Sequence, residues 1–166
     1  MSSFASKDLG NSALLRMGGH DLNQLFADSP PGEVPVGQTD GLTLLFPGTP
    51  MNGSLSRLIY LAMWRGKNFS LDGTTLSNRL TTLDLSAIRA NVALGKSWVD
   101  NKDCIIIDYS RTSFLARGVR DEIRLVAPGL YLGVIWLWHR RIGWFTLRTT
   151  ENHYWTSAET WLRFPP

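Results

Sequence analysis

At 166 residues the chain has the length of one domain with enough material for a sizeable core. A net charge of +3, with Lys and Arg spread along the chain, gives no electrostatic footprint for nucleic acid. No uncharged apolar run approaches the ~18 residues that span a bilayer, and a single cysteine, Cys104, excludes an internal disulfide and cannot build a metal site alone.

Residues 1–19 are rich in Ser and Gly and are expected to be loosely ordered, with a single β-rich domain over 20–166. They show no continuous apolar core followed by a cleavage site, so the default expectation is a cytoplasmic protein. Asp21 is placed to cap a short helix running to Ala27, with Leu22, Leu25 and Phe26 on one face. The stretch SPPGEVPVGQTDG (29–41) reads as a loop or extended arm and contains neither a P-loop nor a dinucleotide fingerprint. Leu42–Phe46 is expected to be a brief apolar strand or plug, closed by Pro47-Gly48. From Ser54, apolar residues at 55, 58, 59, 62 and 63 recur at helical spacing, and Gly66 stands at the left-handed cap position. Such a helix suits packing on a sheet or capping one mouth of a barrel. Phe69–Leu71 leads to an Asp72-Gly73 turn, and Leu76–Leu85 and Ile88–Trp98 supply two strands that lean polar around Asn78 and Arg79. Asp100-Asn101 turns into the central block.

That block, Asp103 to Leu147, carries the strongest strand patterns. Cys104–Tyr109 suits a strand buried on both faces. Val119–Val126 alternates, with Val119, Asp121, Ile123 and Leu125 on one face and Arg120, Glu122, Arg124 and Val126 on the other. The second set reads as a solvated charge row. Pro128-Gly129 turns into Leu130–Trp138, where Leu130, Leu132, Val134, Trp136 and Trp138 oppose Tyr131, Gly133, Ile135 and Leu137. Gly133 in mid-strand marks a bulge or a close approach. His139–Gly143 reads as a basic hairpin loop, and Trp144–Arg148 returns antiparallel. A meander of this kind curls into a barrel or packs as a sandwich. The tail from Thr149, with Trp155, Trp161 and Phe164, is apolar enough to dock; Glu151 and His153 lie in it.

The alternation sets Asp121 on an apolar face, where a carboxylate must find partners or keep its proton. Asp108 could meet Asp121 or Glu122, and two carboxylates brought together split their pKa values. Tyr109, with Arg111 and Arg117 near it in the chain, could donate to an oxyanion. His20, His139 and His153 are in no metal-ligand spacing, and no nucleophile elbow or Cys-His signature occurs, so no metal and no cofactor is expected. The candidate catalytic residues are therefore Asp121, Tyr109 and Asp108. The candidate ligand-binding residues are Trp64, Lys67, Asn78, Arg124, Tyr131, Trp136 and Trp138, with Arg124 reaching inward only if its strand twists.

Ala62-Met63-Trp64-Arg65-Gly66-Lys67 resembles the Gly-x-Trp-x-Gly-Lys signature of a family of small domains named for that motif, with Ala62 where the motif has its first Gly. Ile107-Asp108-Tyr109 and Asp121-Glu122-Ile123-Arg124, ahead of Tyr131-Leu132-Gly133-Val134, resemble a downstream part of the same proteins. Lipocalin-like barrels also carry a Gly-x-Trp. The resemblance spans residues 60–147 and implies a calycin-like barrel with an apolar cavity, but no particular reaction.

The expected fold is mainly β: a single antiparallel, calycin-like barrel or strongly curved sheet, with an N-terminal helix packed on or capping it. The expected function is binding of a small hydrophobic molecule in a Trp-lined cavity with a few polar orienting groups. One alternative is a cofactor-independent cyclase, isomerase or hydro-lyase using Asp and Tyr. Another is a Trp-rich interaction module that forms a homodimer or binds a protein partner.

Overall fold

The structure is a computed structural model and describes residues 10–44, 66–78, 89–112 and 116–150. Among these residues the chain is a closed barrel of eight antiparallel strands, each paired with its neighbours in sequence, with the last closing onto the first. The strands are β1 (Gly37–Leu44), β2 (Lys67–Phe69), β3 (Thr75–Asn78), β4 (Arg89–Lys96), β5 (Asp103–Asp108), β6 (Val119–Ala127), β7 (Leu130–Leu137) and β8 (Arg140–Thr149). Two described helices, α1 (Asn11–Leu14) and α2 (Gly19–Asp28), precede them.

Period-2 alternation sorts the side chains into two cores. Inside the barrel lie Phe69, Leu76, Val92, Ile105, Ile107, Tyr109, Val119, Ile123, Tyr131, Ile135, Phe145 and Leu147. Outside, Cys104, Leu130, Leu132, Val134 and Trp144 pack with Leu14, Leu22 and Phe26 of the helices. Phe26 meets Trp144 edge to face at 5.8 Å, and Thr146 donates to Asn11 at 3.0 Å. Residues 11–14, within the stretch expected to be loose, are thus a helix with Leu14 fully buried. Gly18, not Asp21, is the N-cap of α2; Asp21 lies in its first turn.

One end of the barrel is stopped by the Pro-rich arm. Leu125 donates its N–H to the Pro30 carbonyl at 3.0 Å, and the Tyr131 hydroxyl donates to the Glu33 carbonyl at 2.7 Å. Val34 packs on the inner core and approaches Gly73, on the opposite wall. The arm therefore crosses this mouth from the β6–β7 side to the β2–β3 turn before becoming β1. At the other end β1 finishes, β2 begins, β3 finishes and β4 begins, and the 109–118 connection and the β7–β8 turn close their hairpins.

Several boundaries differ from the sequence reading. β1 starts at Gly37, so Leu42–Leu44 is the second half of a longer strand whose first half, Gly-Gln-Thr-Asp-Gly, reads as loop by composition. β8 starts at Arg140, and the β7–β8 turn is Trp138-His139, with φ of 47° and 63°. Two successive left-handed residues give the twist that a two-residue hairpin requires, a conformation unusual for a side chain as bulky as Trp. The helix expected from Ser54, with Trp64, lies outside the described residues, as do Arg79 and the rest of the expected Leu76–Leu85 strand after Asn78, and the whole tail after 150.

Candidate functional site

Four polar side chains from four strands converge inside the barrel: Lys67 of β2, Asn78 of β3, Tyr109 just after β5 and Asp121 of β6. Each is at the end of the barrel opposite the arm. Lys67 and Asn78 are paired across β2–β3, and Asp121 pairs with Ile107 two residues before Tyr109. Lys67 and Asp121 are 1% and 2% exposed, so the pair is removed from water.

The Lys67 ammonium donates to Asp121 Oδ2 at 3.1 Å, to Asn78 Oδ1 at 3.3 Å and to the Tyr109 hydroxyl. The Tyr109 hydroxyl lies 3.3 Å from Asp121 Oδ2 and 3.4 Å from Asn78 Oδ1. The ammonium also faces the rings of Tyr109 and Phe145, at 5.1 and 5.6 Å. Burial alone would draw the lysine down, but the Tyr109 and Asp121 oxygens around it outweigh that, and its pKa lies above the ordinary value. Burial pushes the Tyr109 phenol up to about 12 against the pull of Lys67. Burial likewise raises Asp121, opposed by Lys67.

Backbone geometry sets Lys67 in place. Gly66 has φ of 110°, and a Cβ there would lie 1.8 Å from the Thr39 carbonyl oxygen, so only glycine lets β1 come this close. Thr39 Oγ1 then accepts from the Lys67 N–H at 3.1 Å and donates to its carbonyl at 2.9 Å, standing in for ladder bonds. Across the barrel, a Cβ on Gly133 would lie 2.3 Å from the Phe145 ring. The absence of a side chain there is what lets Phe145 lie flat against β7, beneath Lys67.

Two atoms of the cluster have no hydrogen-bond partner among the described residues: Asn78 Nδ2 and Asp121 Oδ1. A third inward position, Thr43, also has an unpartnered hydroxyl. It belongs to the inner row of β1 (Gly37, Thr39, Gly41 and Thr43), set opposite Phe69, Thr149, Leu147 and Phe145 by the register. That row is the one stretch of described inner wall built wholly from small residues.

The other candidates are elsewhere. Asp108 is on the outer side of β5, where it accepts from the Ser110 N–H at 2.8 Å, so it pairs with neither Asp121 nor Glu122. Arg124 is 0% exposed but points outward under α2, bonded bidentately to Asp100 at 2.7 and 2.8 Å and to the carbonyls of Phe26 and Asp103. Glu122 is also buried, accepting from Ser97 Oγ at 2.6 Å, the Trp98 N–H at 2.9 Å and Arg120. The expected solvated charge row is thus largely covered by α2 and the 97–102 turn. Tyr131 does face inward, at the stopped end. Trp136 and Trp138 do not line the interior: of the two β7 faces, the one bearing Tyr131, Gly133 and Ile135 turns inward. Trp136 packs edge to face on Trp98 at 5.5 Å on the outer wall, and Trp138 is 66% exposed in the hairpin turn. Cys104 is buried outside the barrel, its thiol pushed up to about 12 by burial.

Sequence reasoning missed Thr39 and Phe145. Thr39 sits in a Gly-rich stretch that resembles a loop, and Phe145 is one of several equivalent aromatics; neither carries a local signal. A separate depression of about 470 Å³ lies against β2–β4, with Asn68, Ser77, Arg89 and Thr112 among its walls. Its charged member, Arg89, is exposed, and it gathers no second ionisable group.

Fold and interior together define a mainly β, closed eight-stranded antiparallel barrel, consistent with calycin-like architecture. No protein-family model and no curated protein matches the chain. A crystal structure of a protein from Thermomonospora curvata is similar to it, with a TM-score of 0.58 at 13% identity over 81% of this chain and 89% of that one. At that identity the likeness is one of fold. Among the described residues no helix is long and apolar enough to cross a membrane, and no group of three or more His, Cys, Asp or Glu is placed to hold a metal ion.

Proposed function

We propose that the barrel interior binds one small hydrophobic molecule whose polar end docks at the cluster that Lys67, Asn78, Tyr109 and Asp121 form, on the valences of that cluster left unspent. The observation that carries this reading is the unfinished bonding of a deeply buried ionic cluster: Asn78 Nδ2 and Asp121 Oδ1 lack partners among the described residues. An unsatisfied buried polar group costs ~1–3 kcal/mol, and a buried ion pair is often replaceable by apolar side chains at no loss of stability. Such a cluster is an expensive way to fill a core and a useful way to orient a guest. The Gly and Thr row of β1 supports the same reading, because it leaves the wall beside the cluster free of bulky side chains.

The test is thermal unfolding and native mass spectrometry of the full chain against a panel of uncharged lipid-like, terpenoid-like and aromatic compounds. A binder at a hundredfold excess over its Kd adds about 2.7 kcal/mol to stability. The expected result is at least one such compound whose effect is lost in Lys67→Met/Asp121→Leu. No stabilisation by any compound, or the same stabilisation of the double variant, would overturn the proposal.

A second reading is favoured by one contact: the Tyr109 hydroxyl touches both Lys67 and Asp121. In that reading the site is a cofactor-independent cyclase, isomerase or hydro-lyase, with Tyr109 donating to a carbonyl oxygen and Asp121 moving the proton. It predicts that a bound compound is recovered chemically altered and that Tyr109→Phe binds it unaltered. Recovery of unchanged compound from the wild type rules for binding alone.

A further inference from the structure

We infer that the polar end of the guest is an uncharged group carrying both a hydrogen-bond donor and an acceptor, such as an alcohol or a primary amide, and is neither a carboxylate nor an ammonium. This rests on the binding reading above and follows from which valences of the cluster are already used. A lysine ammonium has three donors, and those of Lys67 go to Asn78 Oδ1, Asp121 Oδ2 and the Tyr109 hydroxyl. Tyr109 has one proton, with Asp121 Oδ2 and Asn78 Oδ1 both in reach to accept it. Neither cationic nor phenolic donor is left for a guest.

What remains is the amide Nδ2 of Asn78, which donates, and Oδ1 of Asp121, which accepts. The charge is balanced as well as the hydrogen bonds. Lys67 is matched by Asp121 at 3.1 Å, both buried. A carboxylate docking at the cluster would meet Asp121 with no free cation to answer it, and an ammonium would be set beside Lys67. Either would also lose its hydration without a counter-charge. A hydroxyl can both accept from Asn78 and donate to Asp121, and a primary amide can do so with its C=O and N–H.

The experiment uses one hydrocarbon with four head groups: octanol, octanamide, octanoate and octylamine, titrated into the full chain by calorimetry at neutral pH. Octanol and octanamide are expected to bind at least tenfold more tightly than octanoate and octylamine. In Asp121→Asn the acceptor's charge is gone and Lys67 is unmatched, so octanoate is expected to gain at least tenfold relative to octanamide. Equal or tighter binding of octanoate or octylamine to the wild type overturns the inference. So does an unchanged ratio of octanoate to octanamide affinity in Asp121→Asn. If none of the four binds while a compound from the wider panel does, the head-group preference fails and the binding reading stands; if nothing binds at all, the binding reading itself fails. Should Asp121→Asn not fold, the order of the four on the wild type decides alone.

Discussion

Two buried ionic clusters are built from alternate residues of the same strand, β6, and they are finished to different degrees. Inside the barrel, Asp121 with Lys67, Tyr109 and Asn78 leaves a donor and an acceptor unspent. Outside, Glu122 and Arg124 bond to Asp100, Ser97, Arg120, the Trp98 N–H and the carbonyls of Phe26 and Asp103. The outer cluster ties α2 and the 97–102 turn to the wall; a fully satisfied network of this kind specifies one arrangement of the pieces it joins. The inner one ties strands that the barrel ladder already holds, so its polarity is not needed to place them.

Three experiments sharpen or break this contrast, the largest effect first. Arg124→Met should cost about 3–5 kcal/mol in urea unfolding, because it removes the charge partner of Asp100 and a donor to the carbonyls of Phe26 and Asp103 at once. A cost below about 1 kcal/mol would mean that the outer cluster is not structural. Lys67→Met alone should cost about 3 kcal/mol by leaving the Asp121 carboxylate uncompensated, while Lys67→Met/Asp121→Leu should return to within about 1 kcal/mol of wild type. A double variant as unstable as the single one would move the inner cluster into the structural class. The third experiment is the pH dependence of stability, where the clusters should fail on opposite sides. Lys67 and Tyr109 hold their protons more tightly folded than unfolded. Their stabilisation is complete below about pH 10 and declines as pH rises through the native Tyr109 value of about 12. Asp121, also raised, cannot cause loss on the acid side. Asp100 is lowered, first by its hydrogen bonds from Arg124. Its contribution is present above about pH 4 and is lost as pH falls through its native value. Tyr109→Phe should therefore flatten the alkaline limb, and Asp100→Asn the acid one.

The strand alternation of Val119–Leu125 is enough to set Asp121 inside, and the apolar run Cys104–Tyr109 is enough to place a two-faced strand; both hold in the barrel. What the alternation cannot show is which neighbour covers the other face. Arg120, Glu122 and Arg124 look solvated because nothing local says that α2, a hundred residues upstream, will lie over them. β7 was ambiguous for a different reason. Both its faces are apolar, and the tryptophans made the wrong one look like a cavity wall. Asp121 and Tyr109 stand out as polar groups in apolar company, Asn78 lies in a polar-leaning strand and Lys67 at the end of the Gly-x-Trp-x-Gly-Lys resemblance, but their meeting depends on ring closure between residues up to 54 apart, which no local pattern encodes.

The arm across one mouth has a consequence for traffic. If the interior takes the proposed guest, an arm across one end leaves the end where the ionic cluster lies as the side the guest would enter from. A guest would have to travel in with its greasy part leading and its head group last, and depart head group first. Binding lifetime would then be governed by how fast one head group regains water, and arrival by how readily a hydrocarbon slides past a charged threshold.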